Sequence, residues 1–178
     1  AGVAISYRHE LNEDLTTLLA KQRHQVDLAK TGAFQMLRGQ AAHLLELAHG
    51  HVLVHWSEIP TEAEREELAW HFANVIRHDA SIDQVRLLDR QGREVVRVNR
   101  EGGQPRTVPR EELQDKSQRY YFRESIGLAP GEIAVSRFDL NVENEQLELP
   151  FKPTLRMATP IYTLAGQNRG VLVINFLG

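Results

Sequence analysis

The chain has 178 residues, enough for one well-buried core but not for two ordinary domains. It is 42% hydrophobic and 25% charged, with a net charge of -3, so it lacks the basic surplus that nucleic-acid binding requires. Cysteine is absent, which excludes disulfides, thiolate metal sites and cysteine nucleophiles.

The first third predicts a long helix. Leu15, Leu18, Val26, Ala29, Ala33, Leu37, Ala41, Leu44 and Ala48 recur mostly three or four apart, with Asn12 as N-cap and the pattern running from about Leu11 to Trp56. Ile59-Pro60 breaks it. Thr61 and Glu64 then form a capping box that opens a second helix through Leu68, Phe72 and Ile76 to His78. From Ser81 the period becomes two. Val85, Leu87 and Asp89 alternate with Arg86, Leu88 and Arg90, and Arg90-Gln91-Gly92 turns the chain into Val95–Val98.

Gly102, Gly103 and Pro105 mark a loop, and single helical turns are expected at Pro109–Glu112 and Tyr121–Ile126. Ile133–Leu140, Leu155–Tyr162 and Val171–Phe176 read as strands, the last two joined around Ala165-Gly166. A helical part (about 8–78) followed by a sheet part (81–178) predicts an α+β fold with an antiparallel sheet, as one domain over 1–178. The longest apolar run, Val171–Phe176, is interrupted by Asn175 and is far shorter than the roughly 20 residues a membrane span needs.

Several residues invite a site. Arg119 precedes Tyr120, Tyr121 and Phe122, and a planar cation beside aromatics suits a small pocket for a carboxylate. The same residues also fit a core role for Tyr121 and Phe122, with Arg119 paired to Asp115 on the surface. Arg137 and Asp139 share one strand face, as do Thr154 and Arg156, and either pair can face a pocket or form a solvent-side ion pair. His51 and His55 stand four apart but lack the glutamate of a zinc-binding H-E-x-x-H, so no metal is expected there. Asp139–Glu143 opens like a calcium loop but has Asn144 where glycine is needed and Pro150 where glutamate is needed. No nucleophile elbow, phosphate-binding glycine loop or triad spacing is present, so no catalytic residue and no cofactor are assigned.

Four segments together carry a resemblance. They are Val85–Gly92, Arg119–Phe122, Ser136–Asp139, and Thr159–Tyr162 with Gly166 and Gly170–Val173. In this order they resemble a Cache (PDC) unit, the PAS-like extracytoplasmic sensor domain of bacterial transmembrane receptors. The resemblance implies a long N-terminal helix packed on an antiparallel sheet and a periplasmic location. It implies a role as the non-enzymatic sensing part of a histidine kinase or diguanylate cyclase, with the membrane reached only through flanking segments. It also implies a small-ligand pocket over the sheet lined by Arg119, Tyr120, Tyr121 and Phe122, with Asp139 as an acid beside it; Arg137 and Arg156, placed by strand spacing, are further candidates, and the arginines of this half suggest that the ligand is anionic. A dimer seam along the first helix is expected. Tyr121 and Phe122 stand where the amino-acid-binding branch favours tryptophan and tyrosine, a departure in specificity. The competing readings are a sensor that docks a periplasmic protein, with its cavity filled by side chains, and a small hydrolase.

Overall fold

The computed structural model describes residues 2–137, 139–140, 142–143, 146–147 and 153–177, with side chains from residue 20 and without those of 139–147. Contacts divide the chain into two units, which meet between Gln40 and Ala41. Helix α1 runs from Gly2 to His49, so Asn12 lies inside it rather than capping it. The sequence pattern continues to Trp56, but the helix does not. Gly50 takes an extended conformation (φ -62°, ψ 147°) and starts a separate helix, α2 (His51–Glu58). Between Ala20 and Gln40, α1 leaves the large apolar side chains of Val26, Leu28, Phe34 and Met36 in solvent, whereas Leu44, Leu47 and Ala48 in its last turns are buried.

Helix α3 (Glu62–His78) begins where the capping box places it. Thr61 Oγ1 accepts the Glu64 backbone N–H at 3.3 Å, acids sit in the first turn and Arg77 and His78 in the last. Leu68, Phe72 and Ile76 form its fully buried stripe. Its C-terminal carbonyls are satisfied from the sheet: Arg100 donates to Ile76 O and, at 2.7 Å, to Asp79 O.

The main sheet is built from β1 (Ile82–Leu88), β2 (Glu94–Glu101), β3 (Gln104–Thr107), β4 (Ala134–Val135), β5 (Asp139–Leu140), β8 (Pro153–Tyr162) and β9 (Asn168–Leu177). It is antiparallel, in the order β3-β2-β1-β9-β8-β4, with β5 also pairing with β8. Strands β6 (Val142–Glu143) and β7 (Gln146–Leu147) form a separate two-stranded hairpin. A one-turn 3-10 helix (Arg110–Glu112) and α4 (Tyr120–Ser125) link β3 to β4. Gly102 and Gly103 form the β2–β3 turn, so Pro105 lies not in a loop but in β3, the sheet edge, where a missing N–H costs no ladder bond. The single strand expected over Ile133–Leu140 is two short ones, β4 and β5; Phe138 lies outside the described residues.

One face of the sheet packs on α3 through Val85, Leu87, Val96, Val98 and their neighbours, and the other lies under α4. Two glycines permit the close approaches this requires. At Gly170 (φ 145°) a Cβ would lie 1.9 Å from the Leu88 carbonyl oxygen. At Gly92 (φ 85°) it would meet Ser117 Cα at 2.6 Å, so only glycine brings the β1–β2 turn against the segment that leads into α4. Lys116 N–H donates to Gly92 O at 2.7 Å across that contact.

Candidate functional site

The face of the sheet under α4 is unusually polar for a covered surface. All seven residues of β1 are buried, which requires cover on both faces, yet Gln84 and Arg86 point to the α4 side together with Leu88. The register extends this into rows. Asn99, Gln84, Asn175 and Arg156 are successive cross-strand partners over β2, β1, β9 and β8. Gln84 Nε2 donates to Asn99 Oδ1 at 2.7 Å, and Asn175 Nδ2 donates to Gln84 Oε1 at 3.0 Å. In the next row Arg97, Arg86 and Val173 stand side by side.

Two arginines directly opposite each other repel unless an anion intervenes. Glu94 is that anion, and its side chain is fully buried. Arg86 Nη1 donates to Oε1 at 3.0 Å and Arg97 Nη1 to Oε2 at 2.9 Å. The Gln114 backbone N–H donates to Oε2 at 2.9 Å. One carboxylate thus ties β1, β2 and the segment before α4 together. A buried charge is tolerated when it is paired and hydrogen-bonded in this way.

Above this row sits Tyr121. Arg119 is the extended N-cap of α4 (φ -76°, ψ 135°), and the helix that follows buries Tyr121 and Phe122 against Leu88, Ala158, Val171 and Val173. Ser125 Oγ donates back to Tyr121 O at 2.7 Å. Three guanidinium carbons surround the Tyr121 ring, that of Arg156 at 5.5 Å from its centroid and those of Arg86 and Arg119 at 6.0 Å. The ring face attracts cations, and the phenol accepts a hydrogen bond from Arg86 Nη1 at 3.2 Å. Tyr120 packs edge-on to Tyr121 at 5.8 Å. The turn that delivers α4 is fixed by Asp115. The Ser117 hydroxyl and, at 2.8 Å, its backbone N–H donate to this carboxylate and hold its carboxyl below the ordinary range.

Of the residues singled out by sequence, Arg119, Tyr120, Tyr121, Phe122 and Arg156 meet at one place. Arg119 and Tyr120 are half-buried, and Arg156 is 2% exposed. Arg137 follows β4 and is exposed to solvent, next to Ser136, whose backbone N–H donates to Arg156 O at 2.8 Å. Asp139 lies in β5 opposite Thr154, and its side chain lies outside the described residues. Sequence reading missed Arg86, Glu94, Arg97 and the Gln84–Asn175 amide pair. The available signal was a polar residue at every second position of otherwise apolar strands, Gln84 and Arg86 in β1 and Asn175 in β9.

Elsewhere, His51 and His55 stack with centroids 5.8 Å apart, and His55 Nδ1 meets Glu64 Oε2 at 2.8 Å. Among the described residues no group of three or more His, Asp or Glu side chains is placed to hold a metal ion, and no helix is long and apolar enough to cross a membrane.

Residues 17–177 match the family model of the bacterial histidine kinase sensor domain. The chain is similar to the solved extracellular domain of a protein assigned as a histidine kinase, with TM-score 0.75, 27% identity, and coverage of 84% of this chain and 54% of that one. It is equally similar to a domain of a protein assigned to the sensory box/GGDEF family of Vibrio parahaemolyticus, with TM-score 0.75, 27% identity, and coverage of 84% and 57%. The sensor domain of the V. cholerae histidine kinase DctB shares the fold at 18% identity, with TM-score 0.63 over 90% of this chain and 56% of that one. The chain therefore spans little more than half the length of these structures. No curated protein matches the sequence. The polar sheet face, the capping helix α4 and the match over nearly the whole chain lead to one assignment: the chain belongs to the bacterial histidine kinase sensor domains, with a Cache-type fold.

Proposed function

We propose that this chain is the extracytoplasmic ligand-sensing domain of a transmembrane receptor whose output is a histidine kinase or a diguanylate cyclase. It binds a small anion between the sheet and α4. The observation that carries this reading is the convergence of Arg86, Arg119 and Arg156 within 6.0 Å of the Tyr121 ring, on a sheet face that is otherwise hydrogen-bonded and buried. A planar guanidinium matches a carboxylate bidentately. Arg119 and Tyr120 are half-buried, at the accessible edge of the cluster, and are the contacts an entering ligand meets first. Arg86 and Arg156 are fully buried and set the positive field behind them. Phe122 closes the apolar side, and Asp139, opposite Thr154, is the acid for a ligand amine or hydroxyl. Arg137, exposed in the structure, plays at most a rim role.

The receptor acts as a dimer through α1, one sensing domain per chain over 1–178. Val26 and Phe34, on one side of this helix, are each more than half exposed, and a second copy of the helix is the partner that covers them. The test is a thermal-shift screen of small carboxylates on the wild type and on Arg119→Ala. At least one acid should raise the melting temperature of the wild type and leave the variant unmoved. Identical responses of the two proteins to every acid contradict the assignment.

A further inference from the structure

Away from the Tyr121 cluster, three arginines from three elements line one cleft. Arg65 projects from α3, Arg93 from the β1–β2 turn and Arg110 from the 3-10 turn, around a cavity of about 400 Å³ floored by Val95 and Leu113. Two of the three already hold an oxyanion between them. The Glu62 carboxylate is clasped from two sides, by Arg65 Nη2 on Oε1 at 2.7 Å and by Arg110 Nη2 on Oε2. The hydrogen bond from Arg65 and the charges of both arginines hold the Glu62 carboxyl below its ordinary range.

Glu62 is a replaceable occupant. It is half exposed at the first residue of α3, and ion pairs in that setting hold weakly. The other carboxylates of the cleft already have partners. Glu94 turns inward to Arg86 and Arg97, and Asp115 accepts the Ser117 N–H and hydroxyl and also feels the charge of Arg93, which an incoming oxyanion would share. A carboxylate offers two oxygens in one plane, whereas three guanidinium groups on three walls suit an oxyanion with acceptors in several directions.

We propose that this cleft is a second anion site, in which a phosphate-type oxyanion displaces Glu62 from between Arg65 and Arg110 and takes Arg93 as its third cation. The site shares Glu94 and Gln114 with the segment leading into α4, but its existence does not depend on a ligand at Tyr121.

Inorganic phosphate is the probe, titrated into the isotopically labelled chain at low ionic strength and followed by the resonances of residues 62–65, 93 and 110. Arg110 and Glu62 are solvent-exposed, so their variants keep the fold, which an unchanged melting temperature verifies. Saturable shifts are expected in the wild type. Glu62→Gln tightens binding, since the competing charge is gone. Arg110→Ala weakens it by about fivefold or more, as expected for one partly exposed charge-assisted contact, and Arg119→Ala leaves it unchanged. A response that never saturates overturns the proposal, and so does one that Arg110→Ala leaves intact. A response abolished by Arg119→Ala also overturns it by moving phosphate to the Tyr121 cluster, and leaves the sensing assignment standing.

Discussion

Replacing Glu94 by glutamine tests how the buried arginine row is held. The substitution keeps the side-chain shape but removes the charge that Arg86 and Arg97 share, and it presents an amide NH2 to groups that are themselves donors. The Gln114 N–H and Arg97 Nη1 both lie 2.9 Å from Oε2 and Arg86 Nη1 lies 3.0 Å from Oε1, so whichever way the amide turns, a buried donor loses an acceptor. Arg86 and Arg97 stay buried, at 1% and 5% exposure, with their shared anion gone. Removing one member of a buried charge pair typically costs about 3–5 kcal/mol. For a chain of this size each kcal/mol lowers the melting temperature by about 2–4 °C, so Glu94→Gln should melt roughly 6–20 °C below the wild type. Urea denaturation of both proteins measures the difference directly. A loss under about 1 kcal/mol would mean that the row is hydrated or rearranges freely, and the reading of Glu94 as the tie between β1, β2 and α4 would fail.

Other expectations are independent of that one. Gly170→Ala should prevent stable folding or cost more than about 2 kcal/mol, because the new Cβ meets the Leu88 carbonyl at 1.9 Å and φ is 145°; soluble expression and circular dichroism report this. His55 titrates above its ordinary value, chiefly through its hydrogen bond to Glu64. That contact therefore adds stability in full below about pH 6.5 and loses it as pH rises through the elevated folded value, so the melting temperatures of wild type and His55→Gln should converge as pH is raised from 6 to 8. Phe34→Glu on α1, where Phe34 is 61% exposed, should weaken self-association in sedimentation without lowering the melting temperature of the sheet-bearing unit.

The parts of the fold that sequence reveals are those governed by local rules. The start of α3 follows from Thr61 and Glu64, and the β1–β2 turn follows from Arg90-Gln91-Gly92, which the structure fixes through Asp89 Oδ1, acceptor of the Gln91 and Arg93 N–H groups at 2.8 and 2.9 Å. The break at Gly50 was hidden because apolar spacing continues across it into Leu53 and Trp56. The site was half legible. Arg119–Phe122 stand together in sequence and bring their own signal. Arg86, Glu94 and Arg97 meet only through strand register and a bulge between Leu87 and Leu88, which no local pattern encodes. Period-two reading assumes one dry face and one wet face, so it sends Arg86 to solvent. The sheet is covered on both faces, and Arg86 becomes one of the largest fully buried side chains.

The central claim is that an anion sits between the sheet and α4, and a crystal structure of the chain grown with the best-stabilising carboxylate tests it most directly. The account predicts non-protein density beside the Tyr121 ring, with carboxylate oxygens about 2.7–2.9 Å from the guanidinium of Arg119, Arg156 or both. A space filled entirely by protein side chains, or a carboxylate bound elsewhere with this face unchanged, would contradict it and favour a sensor that recognises a protein partner.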